Sequence, residues 1–257
     1  MTDISIGIVT YNNEDTMAQT LDALFSMWPQ DISRKVFVID NGSADRTMDI
    51  VKTYGDRVTL IHSDRGNIGF GAAHNLVMDQ LDSDVHLIMN PDITLPDHES
   101  ISLLYHFLMD HSDIGMAVPR ILDEKGQQQF LCRRQMTILD LALRFLPGHL
   151  FQKRMDHHIM KDMDYSTSFE VEFASGCFMA IRTELFKELG GFDESFFLYA
   201  EDADLTRRVN QKAKTVYLPE AVVIHAWKRA SYKNPAMTRI HLKSLWRYFR
   251  KWGVRIL

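Results

Sequence analysis

The chain has 257 residues, 46% of them hydrophobic, which suits one large α/β domain with a sizeable core or two small ones. No run approaches the roughly 20 uninterrupted apolar residues of a membrane span, the opening Met1-Thr2-Asp3 lacks a signal-peptide layout, and Cys132 and Cys177 form no CxxC pair; a cytoplasmic protein without disulfide framework or structural zinc is expected. The charge of −5 is uneven: residues 1–220 hold all 34 Asp and Glu, a net −14, whereas Ala221 to Leu257 carries nine Lys and Arg and no acid, which points to an anionic partner for the tail alone.

Ile4 to Tyr11 (ISIGIVTY) is a β-branched run ending in Asn12-Asn13, the pattern of a buried strand feeding a polar loop. Residues 15–28 carry Met17, Leu21, Leu24, Phe25 and Trp28 at helical spacing before Pro29 stops the helix. A second unit follows: a strand over 35–39, the turn Asp40-Asn41-Gly42-Ser43 and a helix over 45–54. A third strand is predicted over 58–62, then the stretch Asn67-Ile68-Gly69-Phe70-Gly71 leads into a helix through Asn75 and Met78, and Val85 to Met89 is the fourth strand. This alternation predicts βαβ units and a parallel sheet, whose ligands sit beyond the carboxyl ends of the strands. Those ends are Asn12-Asn13, Asp40-Asn41 and Asn90-Pro91-Asp92. Each alone is equally an ordinary turn; the three together favour a site.

Beyond Pro119 the pattern loosens. Residues 123–126 read as a hairpin turn, and 127–169 show no clean periodicity and receive no element. Order returns over 171–181, interrupted at Gly176, followed by a helix over 183–189 that stops at Gly190-Gly191. An aromatic run from Phe196 then meets Glu201, Asp202 and Asp204 at the start of a helix containing Arg207-Arg208, and a strand over 221–224 precedes His225. With no repeat or separating linker, the reading is one domain over 1–235 and a terminal helix over 236–257.

A dinucleotide-binding GxGxxG is absent after the first strand, which argues against an oxidoreductase. Asp92, just past a buried strand, could hold a divalent cation that bridges a diphosphate. Glu201 and Asp202 serve either the helix macrodipole or, if one faces a cleft, general-base chemistry. His225 is a candidate metal ligand or a structural histidine.

In their order and spacing IVTYNN, VIDNGSAD, NIGFGAAHN, LIMNPDI, ASGCFMAIR and GGFDESFFLYAEDADLTRR, with the late His225, resemble the family 2 glycosyltransferases from Ile4 to about Ser231, and among them the bacterial rhamnosyltransferase-like members that decorate lipid-linked polysaccharide precursors. The resemblance implies a GT-A fold, α/β, with a Rossmann-like central mixed sheet flanked by helices. It implies donor-site roles for Thr10, Tyr11, Asn13, Asp40, Asn67, Gly69, Gly71, Asn75 and Asn90, with Mn²⁺ or Mg²⁺ on Asp92 and His225. Asn90 stands where the family's Asp-x-Asp motif usually has its first acid. Asp202, with Glu201 as fallback, matches the catalytic base of inverting members, and Arg133, Arg134 and Gly176 lie on the acceptor-substrate side.

The implied function is transfer of a sugar, L-rhamnose from dTDP-β-L-rhamnose, to a lipid-linked saccharide in cell-surface polysaccharide synthesis. A UDP-hexose donor and a catalytically silent nucleotide-sugar-binding scaffold are the alternatives. In the tail, Leu242, Leu245, Trp246, Phe249 and Trp252 share one helical face and Lys243, Arg247, Arg250 and Lys251 another. Such a helix either lies on the inner face of an anionic membrane or packs on the domain. Nucleic acid is disfavoured by the acidic body, and a homodimer is left open.

Overall fold

The computed structural model describes residues 2–143, 151–226 and 235–255; the last of the residues that carry the resemblance, up to Ser231, lie partly outside them. The first part alternates strand and helix: β1 (Thr2–Thr10), α1 (Met17–Ser26), β2 (Arg34–Asp40), α2 (Thr47–Lys52), β3 (Thr59–His62), α3 (Phe70–Asn75) and β4 (Ser83–Met89). These four strands pair in parallel in the order β3-β2-β1-β4. Alternation along each strand sorts its side chains onto two faces. Ile4, Ile6 and Ile8 join Met17, Leu21 and Leu24 of α1 in one core, while Val9, Phe37, Ile39 and Ile88 join Ala73 and Val77 in a second.

The rest adds β5 (Ile93–Thr94), α4 (Ser100–Asp110), β6 (Ile114–Leu122), α5 (Ile138–Leu143), α6 (Gln152–His158), β7 (Phe169–Glu170), β8 (Phe178–Arg182), α7 (Thr183–Glu188), α8 (Glu201–Val209), β9 (Lys214–His225) and α9 (Pro235–Trp252). Strand β8 inserts antiparallel between β4 and β6, and β9 runs parallel to β6 but antiparallel to β5 and β7, giving a nine-stranded mixed sheet.

Boundaries differ from the sequence reading where polar side chains intervene. Asp45 stays outside α2 because its carboxylate accepts hydrogen bonds from the Thr47 N–H (3.0 Å) and hydroxyl (2.5 Å), so the helix begins two residues later than expected. The order expected over 171–181 becomes a strand only at Phe178. The unassigned stretch contains α5 and α6, held by polar anchors: Asp140 accepts from Thr137 Oγ1 (2.6 Å) and Arg154 Nε (2.8 Å).

A third apolar cluster unites Met136, Phe173, Phe196, Ala200 and Ala203 with Leu245 and Tyr248 of α9, so the terminal helix shares a core with α8. Among the described residues no helix is long and apolar enough to cross a membrane.

Candidate active site at the carboxyl edge of the sheet

The loop after β1 is built on side-chain amides. Asn13 Oδ1 accepts from the Thr10 hydroxyl (3.1 Å) and the Tyr11 N–H (2.9 Å), and Asn12 takes a left-handed backbone (φ 57°) that an Asn tolerates better than most residues. The Asn12 amide oxygen accepts from Ala44 N–H at 2.8 Å, and Asn12 N–H donates to Ser43 Oγ at 3.0 Å, which ties this loop to the turn after β2. Tyr11 is thereby left 47% exposed beside the buried Asp40. Asp40 spends one oxygen on the Ser43 N–H (2.9 Å) and turns the other toward His62 Nδ1 (3.4 Å).

The glycine-rich stretch packs closely against the chain at residues 192–197. Asn41 fixes it, its Nδ2 donating to Asn67 Oδ1 (3.1 Å) and its Oδ1 accepting from Ile68 N–H (2.9 Å). Gly69 (φ +96°) presses on the chain at Phe197, where a Cβ would come within 2.3 Å of the carbonyl oxygen, and a Cβ on Gly71 would meet Phe192 Cβ at 2.7 Å. Asn75 donates to Phe192 O and accepts from Phe192 N–H, both at 2.9 Å. Gly69, Gly71 and Asn75 thus brace the segment, residues 192–197, that leads into α8.

Past β4, Asn90 N–H donates to Cys177 O (2.9 Å), which seats the Asn90-Pro91-Asp92 turn against the loop before β8. Asp92 meets His225 from the end of β9: Asp92 Oδ1 lies 3.3 Å from His225 Nε2, and both side chains are largely withdrawn from solvent. Gln129 decides the tautomer. Its Nε2 donates to His225 O at 2.9 Å, so its Oε1, 3.2 Å from the ring, accepts the Nδ1 proton. In the neutral ring Nε2 is then a lone pair aimed at a carboxylate oxygen, and Asp92 Oδ1 has no hydrogen-bond donor. A ring nitrogen and a carboxylate oxygen at this distance can share a ring proton or a cation. A divalent cation that takes few protein oxygens and nitrogens and completes its shell with phosphates and water fits this pair. Among the described residues, Asp92 and His225 are the groups that face each other here, and no cluster of three or more His, Cys, Asp or Glu is found among those residues.

Glu201 and Asp202 open α8. The two residues before them, Tyr199 (φ 70°) and Ala200 (φ 65°), are both left-handed without being glycine, an arrangement that costs roughly 1–2 kcal/mol per residue and survives only where packing enforces it. Ala200 is buried in the third cluster, which supplies that packing. Glu201 is buried with Oε2 lacking a partner; burial first, and the Asp202 charge second, push its carboxyl well above the usual range. Asp202 is only half-buried. Burial raises its pKa too, opposed by the Gly176 N–H (3.1 Å to Oδ2), the Arg133 guanidinium and the Ala203 N–H (2.9 Å to Oδ1). Gly176 can approach because it lacks a side chain: a Cβ there would sit 3.2 Å from Asp202 Cβ.

Cys177 links the two halves of the site. Its buried thiol is pushed up to about 12, chiefly by burial, with the charges of Asp92 and Asp202 both adding to the shift. The Gly176-Cys177 turn thus joins the two motifs, since Cys177 O accepts from Asn90 N–H and Gly176 N–H donates to Asp202. Of the expected acceptor-side pair, Arg133 lies near Asp202, with its guanidinium 5.3 Å over the Phe173 ring. Arg134 is committed elsewhere, bidentate to Asp162 at 2.8 and 3.1 Å. A cavity of about 460 Å³ lined by Trp28, Gln30, Asp31, His98, Glu99 and Leu103 shares no residue with this site.

Sequence reading missed Gln129, which lies in the unassigned stretch, and gave Asp204, named among the acids at the helix start, no task of its own. Asp204 is fully buried and accepts from Arg208 Nε, Trp252 Nε1 (both 2.8 Å) and Lys251 Nζ (2.7 Å). The spacing Asp202-Ala203-Asp204 on a helix could have signalled two carboxylates with different tasks.

The model of glycosyl transferase family 2 matches residues 5–190, which include the loops after β1, β2 and β4 and the Gly176-Cys177 turn. The chain belongs to this family. Among its relatives, rhamnosyltransferase WbbL of Escherichia coli is 26% identical over 260 residues, covering 96% of this chain and 93% of that one. The N-acetylglucosaminyl-diphospho-decaprenol L-rhamnosyltransferase of Mycobacterium tuberculosis is 26% identical over 250 residues, 92% of this chain and 80% of its own. Among solved structures, the mannosyltransferase PcManGT of Pyrobaculum calidifontis, in complex with GDP-Man and Mn²⁺, superposes with a TM-score of 0.65 at 17% identity, over 97% of this chain and 66% of that one. TarS 1–349 of S. aureus gives 0.61 at 18% identity, over 96% and 72%. This chain spans about two thirds of the mannosyltransferase. These likenesses establish the GT-A fold of the family 2 chain.

Proposed function

We propose that this family 2 chain is an inverting, metal-assisted glycosyltransferase that moves L-rhamnose from dTDP-β-L-rhamnose to a saccharide on a lipid diphosphate carrier in cell-surface polysaccharide synthesis. The observation that carries the reading is that the Gly176-Cys177 turn touches both acid motifs, Cys177 O accepting from Asn90 N–H and Gly176 N–H donating to Asp202, with Asp92 against His225 at the carboxyl edge of the sheet. The rhamnosyl donor and lipid-linked acceptor are supported by the names of the relatives, and a peripheral position on the inner face of the membrane follows from such an acceptor.

On this reading Tyr11, Thr10, Asn13, Asp40 and Asn67 form the donor-nucleotide side and Asn90 borders the diphosphate. Asp92 and His225 Nε2 would hold Mn²⁺ or Mg²⁺, which when bound neutralises charge developing on the leaving diphosphate. Asp202 takes the proton of the acceptor hydroxyl while that oxygen bonds to the anomeric carbon and the bond to the diphosphate breaks, its electron pair leaving with the nucleotide; the configuration at carbon inverts. The Gly176 N–H and Arg133 favour the ionised form of Asp202 against the upward push of burial, and burial favours the protonated form of Glu201 beside it.

Thermal stabilisation by dTDP, UDP and GDP and their sugars, each with Mn²⁺, Mg²⁺ or EDTA, tests the donor class, because a ligand of the native state raises Tm. The dTDP series is expected to stabilise in a metal-dependent way; stabilisation by the UDP series alone selects the UDP-hexose reading. Asp202→Asn is expected to retain that stabilisation and lose turnover by about 10²–10⁴-fold. Absence of transfer by the native protein with any donor would leave the scaffold reading.

A further inference from the structure

Helix α9 divides its residues between two surfaces. Inward, Ser244, Leu245 and Tyr248 are buried, Ser244 Oγ donates to Leu198 O at 2.7 Å, and Lys251 and Trp252 reach Asp204. The apolar stripe expected to act as one face is therefore split. Leu242 and Trp246 point outward at 57% and 59% exposure, and with Val254 at 58% they are the three most exposed large apolar side chains among the described residues. Around them on the same side, at spacings of three and four, stand the exposed Arg239, Lys243 and Arg250, whose guanidinium lies 5.3 Å over the Trp246 ring.

We propose that this outward face of α9 is a docking surface for an anionic lipid bilayer, with Trp246 and Leu242 entering the headgroup boundary and Arg239, Lys243 and Arg250 pairing with lipid phosphates. Charge decides the partner: the chain from Ala221 onward has no acid, while the rest is strongly acidic. A second copy packed isologously on this face would set the same three cations against themselves. A nucleic acid would meet the repulsion of the acidic body and give Trp246 and Leu242 nothing apolar to enter. A bilayer satisfies both the basic and the apolar groups.

The inward contacts give this surface a consequence. α9 is bonded to Asp204, two residues from Asp202, so docking brings the catalytic edge to the membrane; only the use made of that position rests on the lipid-linked acceptor proposed above.

The test is sedimentation of the full chain with phosphatidylcholine vesicles containing about 30 mol% phosphatidylglycerol. Binding is expected there, on the order of tenfold weaker with pure phosphatidylcholine or at high salt, with a blue shift of tryptophan emission. Leu242→Ser with Trp246→Ser, and separately Lys243→Glu with Arg250→Glu, are each expected to lower binding on the order of tenfold while leaving the nucleotide-dependent Tm shift in solution intact. The second pair keeps the test open if the first does not fold. Failure to sediment with anionic vesicles, sedimentation that neither double variant weakens, or a dimer in ultracentrifugation that Trp246→Ser disrupts would overturn the docking surface. A nucleotide response without vesicle binding removes the docking surface alone, and vesicle binding without any nucleotide response removes the donor site alone.

Discussion

Asp92 Oδ1 and His225 Nε2 face each other at 3.3 Å across the turn between β4 and β5, with Gln129 beside the ring, its Nε2 donating to His225 O and its Oε1 3.2 Å from Nδ1. Asp92→Asn converts that opposition into a hydrogen bond, the new amide donating to Nε2. Its effect should therefore have two signs: metal-free stability unchanged or raised by up to about 1 kcal/mol, and metal-dependent stabilisation by the nucleotide reduced at least tenfold in apparent affinity. Melting curves with EDTA and with Mn²⁺ read both. Equal loss in both conditions would show that the pair is only a structural contact.

Arg133 carries a charge that holds the Asp202 carboxyl down against the upward push of burial. Arg133→Gln removes the opposing influence, so the acid limb of the kcat/KM profile should move to higher pH with the plateau less affected. The size of the move reports the interaction directly, since one pH unit corresponds to about 1.4 kcal/mol. An unmoved limb with uniformly lower activity would assign Arg133 to substrate binding alone.

Glu201 binds its proton more tightly when folded than when unfolded. The native state then holds more protons than the unfolded one as pH rises from the ordinary value near 4.5 through the raised native value, and stability falls across that window. Glu201→Gln should raise Tm above the window's lower edge, by an increment that grows with pH, and should have little effect below about pH 4. Urea titrations at several pH values check the sign; a constant increment would mean the carboxyl does not titrate differently in the two states.

Asp204, fully buried, joins α8 to α9 through Lys251 and Trp252 and pairs with Arg208 one turn along its own helix. Asp204→Ala leaves Arg208 without its ion pair and Trp252 without its hydrogen-bond acceptor, at a cost of about 3–5 kcal/mol. Lys251→Ala should cost less than about 1 kcal/mol, because that side chain is about one third exposed and Asp204 keeps its other partners. Comparable losses from the two would mean that the network acts as one unit.

The parallel half of the sheet was legible because its strands are short β-branched runs, and Ile4 to Tyr11 ends within a residue of β1. Glu201 and Asp202 were legible as acids at a helix start. The stretch from 127 to 169 was opaque for a physical reason: Asp140 and Asp162 organise it by ion pairs and hydrogen bonds, which leave no period in the apolar residues. Gln129 was invisible for the same reason, as its role is set by where β9 ends. In α9 the sequence contained the answer in ambiguous form: Trp246 and Tyr248 are two positions apart, and only the pocket made by Phe173, Phe196 and Ala203 decides that Tyr248 turns inward.

The contacts of Gly69 and Gly71 with residues 192–197 bear on how the enzyme can move. A loop that wraps a ligand is free to open when the ligand leaves, whereas this one is pinned from behind by main chain at Phe197 and by the Phe192 ring. The stretch after β3 and the segment leading into the helix that bears Asp202 are consequently packed against each other. A bulkier residue at 69 or 71 would press on Phe197 or Phe192 and so displace the segment from which α8 starts.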